Sequence, residues 1–264
     1  MRDPPVDVEV PIVEFDPDRR AFVNPGWSIA EASDVPTSAV ACFFPGVIEK
    51  ACADAQVHSR LVSLGKLFEI VHDGARLGVF FPGVGAPLAA AVLEHVIAMG
   101  VRHVVACGAA GSLVPDLTMG HVVVPDAAVR DEGTSYHYLP PAAEVRADPH
   151  SVATAVAVLE RAGVPFTVGK TWTTDGLYRE TPGRVARRRA QGCLTVEMET
   201  AALLAVAAWR DVSFGQLLFA GDDLSGDEWD HRDFTRAVDV QHLLFNLAAD
   251  IACALADSAA PSPD

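Results

Sequence analysis

The sequence has little of what a membrane protein or a nucleic-acid-binding protein requires. No stretch approaches the ~20 apolar residues of a membrane-spanning helix, and the opening MRDPPVDVEV is too acidic and too broken by proline for a signal peptide. Basic residues are scarce, because 20 Lys and Arg stand against 35 Asp and Glu, for a formal charge of -15. This balance argues against a nucleic-acid or membrane partner, while a local basic pocket for a small anion is still compatible with it.

Paired cysteines are missing as well. The five cysteines are an odd number, widely spaced and without a CxxC pair. They predict buried free thiols in a reducing compartment. Together with the missing leader and membrane segment, they predict a cytoplasmic protein.

Several catalytic and cofactor-binding motifs are absent. The chain contains no GxxxxGK[ST] phosphate loop, no HExxH and no GxSxG nucleophile elbow. The acidic stretch 221–231 lacks the spacing of a calcium loop, and the nine histidines show no paired metal-ligand spacing. Gly83-Val84-Gly85 lacks the third glycine of a dinucleotide-binding loop. We therefore expect no metal and no organic cofactor.

The composition is that of a globular protein. Of the 264 residues, 50% are hydrophobic and 21% are charged, which suits one large core. Residues 1–36 hold six prolines and are predicted to form an extended arm or early edge strands. Residues 37–256 are predicted to be a single domain, and 257–264 a flexible tail.

Apolar runs alternate with segments of helical length along this domain. The segment 66–85 is predicted to be a hairpin that turns at Asp73-Gly74. The other predicted strands are 38–44, 101–108, 121–131, 166–174 and 212–221, and the predicted helices are 47–56, 86–99, 151–163, 197–210 and 232–256. This alternation predicts an α/β fold with a mixed, largely parallel sheet and helices on both faces. Active residues then belong at the carboxyl ends of strands, in the segments 82–87, 108–112, 174–181 and 221–230.

Together these segments resemble the nucleoside phosphorylase-I superfamily, which includes purine nucleoside phosphorylases, uridine phosphorylases and the nucleosidases of thioadenosine metabolism. The match is carried by PGVGAP (82–87), ACGAAGSLVPDLTMGHVVVPDAAVRDEG (106–133), TTDGLY (173–178), and VEMETAALLAVA (196–207) followed by FAGDDLSGDEW (219–229). The resemblance covers about residues 38–255 and implies a nucleoside phosphorylase-like fold.

The resemblance implies that the second glutamate of EME, Glu199, anchors a ribose and that Met198 packs against the sugar. A carboxylate can accept hydrogen bonds from the 2′- and 3′-hydroxyls and favours the positive charge that develops at C1′. Alternatively, Glu197 and Glu199 only favour a helix N-terminus through its dipole, and Met198 only packs in the core. Glu197 is assigned no role.

Asp222 falls where purine-specific members of the family keep an acid after a strand. Cleavage leaves negative charge on the base, and a carboxyl group with a raised pKa could relieve it by protonating purine N7. Asp222 is thus the predicted catalytic residue. Asp223 competes for this role, and either can instead be a capping or solvated acid. The loop lacks the Arg and Gln with which pyrimidine members read the base, which favours a purine.

Further substrate contacts are implied by two other segments. Leu177 and Tyr178 lie where the family places an aromatic pair near base and sugar, with Leu177 as an apolar wall where many members carry Phe. From the cluster DEGTSYHY (131–138), His137 is predicted to line the pocket, because such polar groups are costly to bury unpaired. The same region in relatives can approach the site of a neighbouring subunit. The alternative for Leu177 and Tyr178 is plain core packing.

The departures from the family concern phosphate. Where phosphorylases usually open with GDPxR, this chain has FFPGVIEK (43–50). Ala106 and Ala109 stand where the family usually has an Arg and a Ser or Thr. A phosphate dianion needs charge-assisted donors, so the nucleophile is left open between phosphate and water.

Other groups could take over the binding of an anion. Backbone N–H groups of Gly83 to Ala86, which include Gly85, and of Gly108 to Gly111, which include Ala109, could form a nest. Arg60, Arg130 or Arg179 could supply a cation from another direction, although each also suits a structural ion pair.

The expected function is cleavage of the N-glycosidic bond of a nucleoside with a preference for purines. Phosphorolysis, with inorganic phosphate as co-substrate, would give the free base and ribose 1-phosphate. The alternatives are a phosphate-independent nucleosidase, whose water-activating glutamate no motif identifies, and a catalytically inactive nucleoside-binding protein. The resemblance also implies a homodimer or a hexamer built from dimers.

Overall fold

Ten strands form one mixed sheet at the centre of the computed structural model, which describes residues 10–28, 34–60 and 65–259. The strands are β1 Ser38–Cys42, β2 Gln56–Arg60, β3 Lys66–His72, β4 Ala75–Phe80, β5 His103–Ser112, β6 Val122–Asp131, β7 Glu144–Arg146, β8 Phe166–Thr174, β9 Cys193–Glu197 and β10 Ser213–Asp223. The helices are α1 Pro45–Ala51, α2 Ala86–Met99, α3 Pro149–Ala162, α4 Pro182–Ala190, α5 Thr200–Arg210 and α6 Val238–Ala259. The predicted α/β class is confirmed.

The strand pairings place β5 at the centre of the sheet. The order is β10-β6-β8-β9-β5-β1-β4-β3-β2, with β7 paired to β6 and with β10 also paired to β5. The pairings therefore close a circuit of five strands, β5-β10-β6-β8-β9. Strand β5 is parallel to β1 and β10, whereas its end, Gly111 and Ser112, pairs antiparallel with β9. This closure brings the ends of β5, β9 and β10 together.

Helices cover both faces of the sheet because successive residues of its central strands point to opposite sides. On one face, Val105 and Leu217 pack with apolar residues of α6 such as Leu244 and Ile251. On the other face, Val104, Ala106 and Phe214 pack with residues of α2 and α5 such as Leu93 and Leu203. These two buried layers hold the central strands in place, and the predicted site segments lie at the carboxyl ends of those strands.

The expectation that no stretch approaches a membrane-spanning helix was wrong by length and composition, because Val238–Ser258 in α6 is long and apolar enough to cross a membrane. It packs instead on the protein itself, against β1, β5 and β10. Its residues Leu244, Ala248 and Ile251 have no exposed surface. The helix is therefore part of the core, and it continues to Ala259, past the predicted end of the domain at residue 256.

Several predicted elements differ from the observed ones. Strands β2, β7 and β9 and helix α4 were not predicted, because they are short and α4 buries only Val185. The predicted helix 197–210 begins at Thr200, since Glu197 ends a strand, and the predicted helix 232–256 begins at Val238. Strand β5 runs on to Ser112, so the predicted loop 108–112 is the end of a strand.

The described part of the N-terminal arm consists of residues 10–28 and 34–36. It contains two single 3-10 turns and lies partly on α5. The ring of Phe15 packs edge-on against Trp209, and the guanidinium of Arg19 lies 4.8 Å from the centre of the same indole. The remaining arm residues, 1–9 and 29–33, and the tail residues 260–264 lie outside the described residues.

All five cysteines are free thiols, as predicted. Four are buried and Cys253 is half-buried.

Because β5, β9 and β10 approach closely, substitution of alanine for two glycines of these strands should change the free energy of unfolding by different amounts. A Cβ on Gly111 would lie 2.6 Å from Leu224 Cδ1 and 3.0 Å from Val196 Cγ1, whereas a Cβ on Gly215 would meet nothing nearer than 3.7 Å. We expect Gly111→Ala to lower the free energy of unfolding by about 1–3 kcal/mol through overpacking. Gly215→Ala should change it by less than about 0.5 kcal/mol. Urea denaturation of both variants measures the difference, and equal stability of the two would contradict the packing described.

Candidate active site

A cavity of about 820 Å³ opens where the carboxyl ends of the central strands meet. All four segments in which active residues were predicted contribute to it. Its lining residues are Phe43, Phe44, Pro45, Gly46, Val84, Gly108, Ala109, Ala110, Gly111, Leu177, Glu180, Val196, Glu197, Met198, Glu199, Gln216, Leu218, Asp222, Trp229, His231, Phe234, Thr235, Val238 and Gln241.

The carboxylate of Glu197 organises the floor of this cavity. The hydroxyl of Thr173 donates to Glu197 Oε1 at 2.6 Å, and the backbone N–H groups of Glu199 and Thr200 donate to Oε2 at 2.7 and 2.6 Å. The Thr173 hydroxyl in turn accepts the N–H of Ala201. These bonds satisfy the first N–H groups of α5, which would otherwise be buried without an acceptor. Glu197 therefore positions the start of α5.

Glu199 stands at the N-terminal end of α5 and reaches across to the turn before α2. The N–H of Gly85 donates to Glu199 Oε1 at 2.6 Å, and the N–H of Met198 donates to Oε2 at 3.3 Å. Gly85 has φ 93, a conformation that suits glycine, and it is the N-cap residue of α2. Glu199 is 7% exposed, so its carboxyl lies at the wall of the cavity with both oxygens oriented by backbone donors.

The two glutamates share a buried environment, which raises the pKa of each. Burial, and then the charge of Glu197, raise the pKa of Glu199 to about 8, opposed by the N–H groups of Gly85 and Met198. Burial also raises the pKa of Glu197, but its three short hydrogen bonds favour its ionised form. At neutral pH these contributions favour the proton on Glu199 and the negative charge on Glu197.

Asp222 and Asp223 have different surroundings. The indole N–H of Trp229 donates to Asp222 Oδ2 at 2.6 Å, and Asp222 faces the cavity. Asp223 forms an ion pair with Arg232 and accepts the N–H of Ser225, and it does not line the cavity. Of the two acids, Asp222 is the one placed to meet a ligand.

Glu180 is a further acid of the cavity that the motifs did not indicate. It is half-buried, in the link between the 3-10 turn Leu177–Arg179 and α4. Burial, and then the neighbouring charge of Asp222, raise its pKa to about 7, against the opposing charge of Arg184.

The predicted substrate contacts fall into two groups. Met198, Leu177, Gly108 and Ala109 line the cavity together with Glu199 and Asp222, and Gly85 contributes its N–H to Glu199. Tyr178 is 95% exposed and does not line it. His137 is exposed at the end of the 3-10 turn Thr134–His137 and also lies outside the lining.

Side chains able to carry positive charge are nearly absent from the lining. Among the described residues that form it, His231 is the only basic one. Arg130 donates to Ser135 Oγ and to two backbone carbonyls, and the exposed Arg179 does not reach the lining. The side chain of Arg60 lies outside the described residues.

One buried polar group in the cavity lacks a partner among the described residues. Gln216 is 3% exposed, and its Oε1 atom accepts no hydrogen bond. A buried acceptor without a donor is unfavourable, so this atom favours a ligand that carries hydroxyl or N–H groups. No short motif indicates Gln216, because its position follows from strand register alone.

Of the described side chains, His72, Asp73 and Asp250 form the one group with metal-ligand spacing. They lie at the turn between β3 and β4 and on α6, and none of them lines the cavity. His72 Nε2 lies 2.6 Å from Asp250 Oδ1, so these two side chains already satisfy each other.

Comparison with known proteins identifies the family. The model of the phosphorylase superfamily matches residues 38–255 of the chain. The chain belongs to this superfamily. The membership confirms the predicted family and the predicted kind of enzyme, and it leaves the roles of individual residues as predictions.

Three similar proteins illustrate the range of the superfamily. The chain is 28% identical over 211 residues to guanosine phosphorylase of Halorubrum lacusprofundi, an alignment that covers 76% of this chain and 87% of that protein. It is 29% identical over 159 residues to uridine phosphorylase of Salmonella typhimurium, covering 55% of this chain and 63% of the relative. A crystal structure of uridine phosphorylase from Vibrio fischeri ES114 shares the fold, with a TM-score of 0.71 and 21% identity over 84% of this chain and 93% of that one.

The raised pKa of Glu199 predicts a stability that depends on pH. A carboxyl whose pKa is higher in the folded than in the unfolded chain stabilises the fold at low pH, and this contribution is lost as the pH rises from the ordinary value near 4.5 to about 8. We expect Glu199→Gln to raise the melting temperature of the ligand-free protein at about pH 8.5 by at least ~2 °C, and by less at about pH 5.

Thermal unfolding followed by circular dichroism measures this effect. Glu49→Gln, at an exposed position on α1, is the matched control and should show no such dependence on pH. A melting temperature of Glu199→Gln that follows the wild-type value across the range would show that the pKa of Glu199 is not raised in the folded protein.

Proposed function

We propose that the protein cleaves the N-glycosidic bond of a purine nucleoside by phosphorolysis, giving the free base and ribose 1-phosphate. The observation that carries the proposal is that Glu199, held by the N–H of Gly85, and Asp222, held by the indole of Trp229, face one cavity. One carboxyl is suited to a sugar and the other to a leaving base. The guanosine and uridine phosphorylases among its relatives support the reaction type.

Glu199 binds the ribose in this proposal. The 2′- and 3′-hydroxyls of a bound ribose donate hydrogen bonds to it, which favours the ionised form and lowers its pKa. The resulting carboxylate stabilises the positive charge that develops at C1′ as the glycosidic bond lengthens. Met198, at the same wall of the cavity, packs against the sugar.

Asp222 is the proposed general acid. Trp229 occupies its Oδ2 atom, which leaves Oδ1 to approach the base. Protonation of purine N7 removes the negative charge that would otherwise build up on the leaving group. Leu177, half exposed at the rim, gives the base an apolar wall.

The described lining of the cavity offers few groups that could bind phosphate. It contains four acidic side chains, Glu180, Glu197, Glu199 and Asp222, and no Lys or Arg. The N–H of Gly85 is already taken by Glu199, so a phosphate nest there is weakened. This observation favours hydrolysis by water as the second candidate function.

A product analysis separates the two candidates. The protein is incubated with adenosine, inosine, guanosine, uridine and 5′-methylthioadenosine, with and without phosphate, and base, ribose and ribose 1-phosphate are separated by chromatography. Phosphorolysis predicts purine bases and ribose 1-phosphate only when phosphate is present. Free ribose irrespective of phosphate would establish hydrolysis, and preferential turnover of uridine would overturn the proposed purine preference. Binding without turnover would contradict both candidates.

The acid assignment predicts the effect of removing the proton from Asp222. We expect Asp222→Asn to lower kcat for purine nucleosides by about 100-fold or more, the usual contribution of general acid catalysis. Nucleoside affinity should change little, because Glu199 still holds the ribose. Asp227→Asn, at an exposed position in the same loop, is the control and should keep wild-type kinetics. Unchanged turnover in Asp222→Asn would show that Asp222 is not the general acid.

A further inference from the structure

Glu180 lies in the same cavity as Asp222, at the end assigned to the base. The 3-10 turn before it and the helix α4 after it, whose N-cap residue is Thr181, hold its backbone between two ordered elements. Trp229 connects the two acids: its indole bonds Asp222, and it lines with Glu180 an adjoining cavity of about 290 Å³. Glu180 and Asp222 therefore both line the main cavity, close enough for the charge of Asp222 to act on Glu180.

Two charged groups act on Glu180: Arg184 from α4 and Asp222 from the end of β10. Arg189 of α4 and Asp227 and Glu228 of the loop after β10 line the adjoining smaller cavity together with it. His231 faces the main cavity from the same loop. The charge of Arg184 is largely engaged, since its guanidinium bonds Asp131 and lies over the Trp172 ring. Burial and the charge of Asp222 therefore dominate, and they raise the pKa of Glu180 to about 7.

Two neighbouring carboxyls match one edge of a purine. That edge presents N7 as an acceptor and, beside it, either an amino donor at C6 in adenine or a carbonyl acceptor at C6 in 6-oxopurines. An ionised carboxylate can only accept hydrogen bonds, whereas a protonated carboxyl can also donate one. With Asp222 at N7, the group opposite C6 decides which purine is accepted.

We infer that Glu180 is a specificity-determining residue that hydrogen-bonds the substituent at C6 of the purine while Asp222 meets N7. It accepts from a 6-amino group when it is ionised and donates to a 6-oxo group when it is protonated. This inference rests on the proposed function, because it takes Asp222 as the residue at N7. The preference of the site then passes from 6-oxopurines to 6-aminopurines as the pH rises through neutrality.

Binding of the free bases tests this inference without any reaction. Adenine and hypoxanthine are titrated by calorimetry into the full chain between about pH 5.5 and about pH 8, a range in which both bases stay uncharged and Glu180 changes its protonation. The ratio of the two affinities cancels any effect that is common to both bases, and the Glu180→Gln variant separates Glu180 from other titrating groups of the cavity. We expect the ratio of adenine to hypoxanthine affinity to rise about tenfold across the range.

Matched variants assign the change to one residue. The ratio should be independent of pH in Glu180→Gln, because an amide can accept or donate at any pH in this range. Glu228→Gln makes the same substitution on a neighbouring exposed carboxyl and should keep the wild-type change.

Three outcomes would overturn the inference: a wild-type ratio that stays constant, a wild-type change that persists in Glu180→Gln, or failure of both bases to bind. The wild-type titration decides the first and third of these without any variant. Nucleoside turnover is measured separately. A rising ratio of adenine to hypoxanthine affinity without nucleoside turnover would support the role of Glu180 and contradict the proposed reaction. Turnover with a constant ratio would support the reaction and contradict the role of Glu180.

Discussion

The buried carboxylate of Glu197 is the contact on which the candidate site depends. It accepts hydrogen bonds from the Thr173 hydroxyl and from the N–H groups of Glu199 and Thr200, and so it joins the end of β8 to the first turn of α5. Because these bonds fix the backbone of Glu199, the carboxyl of Glu199 is directed to Gly85 at the start of α2. Three separate segments of the chain are thus held together through two adjacent carboxyl groups.

The same contact determines the electrostatics of the cavity. Two neighbouring buried carboxyls cannot both be charged without a large cost, so burial and the charge of Glu197 raise the pKa of Glu199 to about 8 and favour a proton on it at neutral pH. The hydroxyl groups of a ligand can donate hydrogen bonds to Glu199 and thereby favour loss of its proton. An anion, in contrast, is repelled by the four acidic side chains of the lining. The cavity is therefore well suited to the sugar and base of a nucleoside, and it provides little for phosphate beyond His231.

The sequence predicted the fold because its long apolar runs and their alternation with helical segments depend on local patterning. It also predicted which four segments meet, since parallel strands end at a common edge. Glu197 was assigned no role, because the role of its carboxylate depends on the position of Thr173 in another strand. Glu180 and Gln216 carry no motif: the pairing of β10 with β5 places Gln216, and the turn between β8 and α4 places Glu180. Tertiary register, rather than local pattern, decides such positions.

We propose that Glu199 gives up a proton when it binds a ribose. A C-nucleoside, whose base is joined to the sugar through carbon, cannot react and so reports binding alone. Titration by calorimetry at about pH 7 in buffers of different ionisation enthalpy counts the protons released per bound ligand. Because Glu180 can also exchange a proton with the ligand at this pH, the difference between the two chains reports Glu199. We expect the wild-type chain to release about one proton more per bound ligand than Glu199→Gln. Equal proton release by the two chains would contradict the assignment.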